Sequence, residues 1–304
     1  LSKLEINQYN DWFFLSIFVL TTLIYFSSQL FGSSFFWEDF VEYVYPFQTY
    51  AAKSSSNGFI PFWNPYIFSG MPFLADLQVG FFYPFNRVLS FFIDSNGHLS
   101  VWGLQFIIIL HFLIAQISFY FMMRAKGVSQ FASSFSAIAY SFSMMMVCHV
   151  FHPMIVYHLA WFPLVFMLFD KSIELGNYKY GIAAGLILGM SMLSGHPQIT
   201  LYEVFFLGIY YIWQIISNLV QKNNPYIINS AIAGILTIVI SVGIFQIQLL
   251  TSQELAGLSL RSDLSSDIKT HGSLEYKQIL NFVNPHQFGK IVGNPNSETF
   301  FEIE

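Results

Sequence analysis

The chain has 304 residues, of which 55% are hydrophobic and only 10% charged. A soluble domain carries roughly 25% Asp, Glu, Lys and Arg, so there is too little charge to coat a water-soluble globule, and the mean hydropathy of +0.54 agrees. A net charge of −5 without a basic run argues against a nucleic-acid partner, and the single cysteine, Cys148, excludes an intramolecular disulfide framework or a cysteine-cluster metal site.

A membrane-spanning helix needs about 20 mostly apolar residues. Such runs predict an all-α polytopic membrane protein of about seven spans, near 12–31, 101–123, 128–147, 153–169, 180–195, 199–219 and 226–250. The runs are continuous rather than alternating, which argues against a barrel. The first run is longer than a signal-peptide core of roughly 7–15 residues and no small-residue cleavage site follows it, so it reads as a genuine span. Spans three and four part at Cys148–Pro153, and spans five and six at Gly195-His196-Pro197-Gln198. The glycines of Gly181–Gly195 fall at helix-packing spacing. His111 and His158, inside spans two and four, read as bonding to neighbouring helices.

Lys3, Arg124, Lys126, Lys171, Lys179 and Lys222 fall before span one or in the short loops after spans two, four and six. By the positive-inside rule the N-terminus is cytoplasmic, with residues 32–100 and 251–304 outside. Residues 1–250 are then a transmembrane module containing the outer loop, and 251–304 an extracytoplasmic segment. Between Ser33 and Ile93 the loop holds 20 aromatics in 61 residues. Asp39–Ala52 reads as an amphipathic helix with Phe40, Val44, Phe47 and Ala51 on one face, ended by Ser54-Ser55-Ser56-Asn57-Gly58. The stretch from Pro61 to Pro72 is too rich in Pro and Gly for a long helix. Rings with polar tips favour the membrane–water boundary, so short juxtamembrane helices and turns on the outer surface are expected.

Four constellations have the residue types for chemistry. Glu38-Asp39, with Glu42, follows span one; the pair could bind a divalent cation or supply a general base, or simply start a surface helix. His196 and Gln198 occupy the turn before span six, and Glu203 lies just inside it, where an ionisable residue points to function unless it only reaches the headgroups. His149 and His152 have a metal-ligand spacing but no third ligand nearby, and read better as an interfacial loop. Arg261, beyond span seven, is of the type that clamps a phosphate, or else a solvated surface residue. No soluble catalytic signature is present.

Taken together, Asp39, Tyr43-x-x-Pro46-Phe47, Trp63-Asn64-Pro65, Ser69-Gly70-Met71-Pro72, Phe82-Tyr83-Pro84, Gly195-His196-Pro197-Gln198, Ser259-x-Arg261 and Pro285-x-x-Phe288-Gly289 resemble the YfhO-like bacterial multi-pass membrane proteins. That family is similar to the glycosyltransferase C superfamily. The resemblance implies a GT-C-like membrane glycosyltransferase in the bacterial cytoplasmic membrane. It would move a sugar from a polyprenyl-phosphate carrier to a glycan, lipid or protein acceptor of the cell envelope. Asp39 is its implied general base, beside Glu38. His196, Gln198, Glu203, Arg261, Trp63 and Asn64 are candidate substrate- or phosphate-binding residues, and Glu38 and Asp39 candidate ligands for Mg or Mn. The family often has Gln where this chain has Glu42. Full members are longer, so a continuation beyond residue 304 is expected. The alternative is a non-catalytic accessory subunit that grips other membrane subunits, and a transporter is the weakest reading.

Overall fold

The computed structural model describes residues 8–36, 39–221 and 224–258, together with Tyr276, Ile279, Leu280 and Asn284. The chain forms two compact units, Leu1–Leu255 and Ala256–Glu304. The described residues are helical, with two isolated β-bridges, Asn64 to Met71 and Ile93 to Leu99. The helices are α1 (Gln8–Tyr25), α2 (Ser27–Leu30), α3 (Tyr45–Ser56), α4 (Pro84–Val88), α5 (Val101–Ala125), α6 (Gln130–Ser141), α7 (Met144–Cys148), α8 (Pro153–Leu175), α9 (Tyr178–Met192), α10 (Pro197–Val220) and α11 (Asn224–Leu258).

All seven apolar runs are helical, and among the described residues five helices are long and apolar enough to cross a membrane. These are α5, the α6–α7 pair taken as Gln130–Cys148, α8, α10, and Tyr226–Leu258 of α11. At 1.5 Å per residue α1 and α9 reach only ~27 and ~22 Å, short of a hydrocarbon core of about 30 Å. The first run is shortened because its helix breaks at Phe26, whose buried ring packs edge-on against Phe35 and Phe112. The helix starts follow local chemistry. Pro153 and Pro197 open α8 and α10, where a missing N–H is harmless, while Ser100, Ser129, Asn177 and His196 accept a backbone N–H at their caps.

In the bundle, α5 packs between α6 and α8, and α8 packs on α9. Gly181, Gly185 and Gly189 lie against α11, where an added Cβ would come within 3.0 Å of Ser172, Ile240 and Ile244 respectively, Ser172 being on α8. This is the close approach that small residues at four-residue spacing allow. At the end of the bundle bearing Lys126, two buried carboxylates each have two hydrogen-bond partners. Asp11 accepts from Tyr120 and from Gln130 at 2.8 Å, and Asp170 accepts from Tyr210 and pairs with Lys126, which also lies 3.5 Å from Glu174. Partners of this kind offset the desolvation of a buried charge.

At the opposite end, here the loop end, residues 39–92 depart from a purely superficial layer. Asp39 begins a wide π turn, Phe40–Val44, that leads into α3, and the expected stripe of Phe40, Val44, Phe47 and Ala51 is buried. Phe73, Tyr83 and Leu89 are wholly enclosed. The Tyr83 hydroxyl sits between two spans: it accepts from Trp161 Nε1 of α8 at 2.7 Å and meets His111 Nε2 of α5 at 2.5 Å. His111 Nδ1 is 2.7 Å from the Ile107 carbonyl and must donate to it, so Nε2 is the acceptor for Tyr83. Gln105 clamps the exit of the first helix, accepting from Phe35 N and donating to Ser33 O. Gln248 and Ser252 of α11 donate to the carbonyls of Leu74 and Ala75.

The tightest contact is backbone on backbone. The turn Leu77–Gly80 lies on Ser194–Gly195, between α9 and α10. A Cβ on Gly195 (φ +102°) would stand 1.9 Å from Leu77 O, and one on Gly80 (φ +57°) would stand 2.8 Å from Ser194 O. Both the conformation and the space require glycine. Gly195→Ala is therefore expected to destabilise the protein by more than about 2 kcal/mol, read as a lower thermal unfolding midpoint in detergent. Gly208→Ala, where an added Cβ meets nothing within 4 Å, should leave the midpoint unchanged or slightly raised. Equal midpoints for the two variants would contradict this packing.

Candidate functional site

The docked loop brings Asp39 to the start of α8. Its Oδ2 lies 2.7 Å from His152 Nε2, and both side chains are partly exposed, 60% for the acid and 37% for the imidazole. A carboxylate only accepts, so His152 donates through Nε2–H. The other nitrogen, His152 Nδ1, is buried with no hydrogen-bond partner among the described residues. His149 stands alongside, its ring centroid 5.7 Å from that of His152. His149 Nδ1 donates to the Met145 carbonyl at 2.7 Å, which leaves its Nε2 as the acceptor in the neutral form.

Behind this pair the α9–α10 turn contributes His196, whose Nδ1 accepts from Ile199 N at 3.3 Å and so caps α10. Burial, and then the neighbouring imidazoles His158, His152 and His149, hold its pKa below the usual histidine value of 6.5. Four histidines from two loops and one span thus lie within electrostatic reach of one another. Deeper still, His158 Nδ1 is 3.1 Å from Glu203 Oε2 and 3.1 Å from Ser191 Oγ, while its Nε2 is 3.4 Å from Thr200 Oγ1. The acid and the imidazole are both buried, and Glu203 Oε1 has no partner among the described residues. Glu203 therefore faces a neighbouring helix rather than the headgroups, because His158 of α8 supplies its counter-group.

The π turn and α3 are held in register by a second acid. Tyr43 donates to Asp76 Oδ2 at 2.7 Å, and Asp76 Oδ1 accepts from Gln78 N at 3.0 Å. Burial raises the Asp76 pKa and the Tyr43 hydrogen bond partly opposes the shift. Gln48 and Asn86 donate to the carbonyls of Val79 and Gly80. Tyr43, Phe47, Tyr157 and Ser194 then close a crevice of about 10 Å³, too small for more than a single water.

The remaining candidates are placed differently. Asn64 is buried in its own turn: its backbone pairs with Met71 and its Oδ1 accepts from Tyr66 N. Trp63 accepts from Tyr50 through its carbonyl and its ring covers Gly70. Gln198 donates to Tyr202 on the exposed face of α10. Glu38 and Arg261 lie outside the described residues. Of the site read from the sequence, the fold therefore gathers Asp39, His196 and Glu203 in one region, linked by His152 and His158. Among the described residues no three His, Cys, Asp or Glu side chains converge as a metal site.

His152 and His158 were assigned no site role on sequence grounds. The one available signal was that His152 precedes a helix-opening Pro, at a loop on the same expected face as Asp39. No protein-family model matches the chain, and no curated protein or solved structure matches it.

The environment of His196 gives a pH signature. Its depressed pKa means that the folded state favours the neutral ring, so protonation opposes folding and any linked stability is lost as pH falls. An NMR titration of labelled protein should place the His196 midpoint below 6.5, and a joint His149→Ala and His152→Ala change should raise it only in part, since burial is the larger cause. A midpoint above 6.5 would contradict the described surroundings.

Proposed function

We propose that this chain is the transmembrane module of a lipid-linked sugar transferase with its loop end at the extracytoplasmic face of a bacterial cytoplasmic membrane. The N-terminus is cytoplasmic in this reading and all seven helical segments cross. The motif resemblance to YfhO-like proteins and to a GT-C arrangement motivates the reading, and the Asp39–His152 contact of 2.7 Å carries it.

The chemistry needs a base for the acceptor hydroxyl and hydrogen-bond donors for the departing phosphate. Asp39 is exposed enough to meet a hydroxyl, and His152 orients its carboxylate through Nε2–H. In the transfer step the acceptor oxygen attacks the anomeric carbon and gives its proton to Asp39. The bond from that carbon to the phosphate oxygen breaks, and polyprenyl phosphate leaves with the electron pair. On the same end of the bundle, neutral His196 can donate to that phosphate through Nε2–H, since its Nδ1 accepts from Ile199 N. His149 is a second described group for that role, with Arg261 a further candidate from the sequence. No step is assigned to a metal. The Glu203–His158 pair acts indirectly, by fixing Thr200 and the cap of α10 that carries His196.

In proteoliposomes supplied with a radiolabelled polyprenyl-phosphate hexose, Asp39→Asn should lower transfer to an added acceptor about 10²-fold or more. His152→Ala should lower it less while leaving the thermal midpoint within a few degrees. Full activity in Asp39→Asn would remove Asp39 from the mechanism and sink the transferase assignment of this site.

A further inference from the structure

The π turn and α3 carry two opposed faces. One, with Tyr43, Val44, Phe47 and Gln48, is turned to Pro153 and Met154 of α8. The other borders an open groove of about 520 Å³ between α3 and the turn at residues 94–98, a volume in the range of small-ligand sites. Nothing in the transfer step uses this groove.

Its lining is mixed in a particular way. Phe59 and Tyr66 line it with largely exposed aromatic rings. Lys53, Asn57 and His98 add polar heads to the same lining. Tyr66 is held in place rather than free, its N–H bonded to Asn64 Oδ1 and its ring set edge-on to Tyr50 at 5.9 Å. Lys53 accepts at its carbonyl from Asn57 N and Ser56 Oγ, but its ammonium makes no hydrogen bond or ion pair with any described residue. Its ammonium lies over Gly97, where a Cβ would come within 2.8 Å of Nζ. The nearest acid in that turn is already engaged: Asp94 Oδ1 accepts the N–H groups of Asn96 and His98, and its Oδ2 lies 3.8 Å from His98 Nδ1. The groove therefore offers, in one lining, a cation with no counter-charge among the described residues and two exposed aromatic rings.

We propose that this groove is a binding site for a saccharide carrying a phosphate or carboxylate group. The C–H face of the sugar ring lies on Tyr66 and Phe59, its hydroxyls meet Asn57, and its anionic group meets Lys53 and His98. Aromatic platforms supply the contact area and the charged hydrogen bond supplies the preference for an anion. The site is separate from the Asp39 cluster, so it does not depend on the transferase reading.

The test is saturation-transfer NMR on the protein in phosphatidylcholine nanodiscs, with glucose 1-phosphate as probe and glucose as the uncharged control. Wild-type protein should bind glucose 1-phosphate about tenfold more tightly than glucose. Lys53→Met should abolish that preference, Lys53→Arg should largely keep it, and Tyr66→Ala should weaken both sugars. Gly208→Ala, far from the groove residues along the chain and with open space for a Cβ, should change neither. Wild-type affinity in Lys53→Met, or no transfer from either sugar, would overturn the proposal. Loss of binding in Asp39→Asn would overturn it by moving the sugar to the Asp39 cluster. Loss of the signal in phosphatidylglycerol nanodiscs would also overturn it, by assigning the groove to a lipid headgroup.

Discussion

The backbone of Leu77–Gly80 rests on Ser194–Gly195 with no side chain between them, and the placement of the whole loop end follows from that contact. Two glycines with positive φ meet across it, each filling space that a Cβ would enter. Once the turn is seated, Val79 and Gly80 present their carbonyls to Gln48 and Asn86, and Asp76 comes within reach of Tyr43. These bonds fix α3 and the π turn before it, and so carry Asp39 to His152. The acid is thus placed by contacts that follow it along the chain, from Tyr43 onward and through the α9–α10 turn, rather than by its own exposed bond, which contributes little by itself.

Polar groups inside the bundle fall into two kinds. The chain from Trp161 through Tyr83 and His111 to the Ile107 carbonyl has every donor and acceptor engaged, as have Gln116 with Thr21 and Thr22 near the first helix. Such saturated networks hold elements in one arrangement, because breaking any link strands a buried partner. The cluster around Asp39 is less complete. His152 Nδ1 and Glu203 Oε1 are buried without partners among the described residues, as are Asn86 Oδ1, the Tyr157 hydroxyl and Gln248 Oε1 elsewhere. Burial and the neighbouring imidazoles hold the His196 pKa below its usual value. Incomplete satisfaction beside a partly exposed carboxylate is the electrostatic character expected of a site that exchanges protons.

Most of the helical framework was legible in the sequence, because apolar runs, helix-opening prolines and the glycine spacing of α9 report directly on local structure. The buried stripe of Phe40, Val44, Phe47 and Ala51 was equally visible as a period. The depth of the loop was not. Tyr83 looks like an interfacial aromatic until its hydroxyl is seen between Trp161 and His111, three residues far apart in the chain. The same holds for Glu203, whose position leaves a functional role and a reach to the headgroups equally open until His158, 45 positions away, is seen to pair with it. Asn64 shows the converse error of reading: a polar residue in a memorable motif that serves its own turn. Pairing across the fold leaves no periodic trace in one sequence, so Asp39 and the His149/His152 spacing are each visible there while the contact between Asp39 and His152 is not.

The groove beside Lys53 lies along α3, and Asp39 stands just before the π turn that leads into it, so the docked loop organises both. Both sites require residues 73–86 to be an integral part of the bundle rather than a mobile cover. Hydrogen–deuterium exchange on the protein in nanodiscs measures this directly through the amides of Phe73, Gly80, Tyr83 and Asn86, each bonded to a backbone carbonyl. Exchange as slow as that of the α5 and α8 amides is the predicted result. Exchange as fast as that of an unprotected loop would contradict the account.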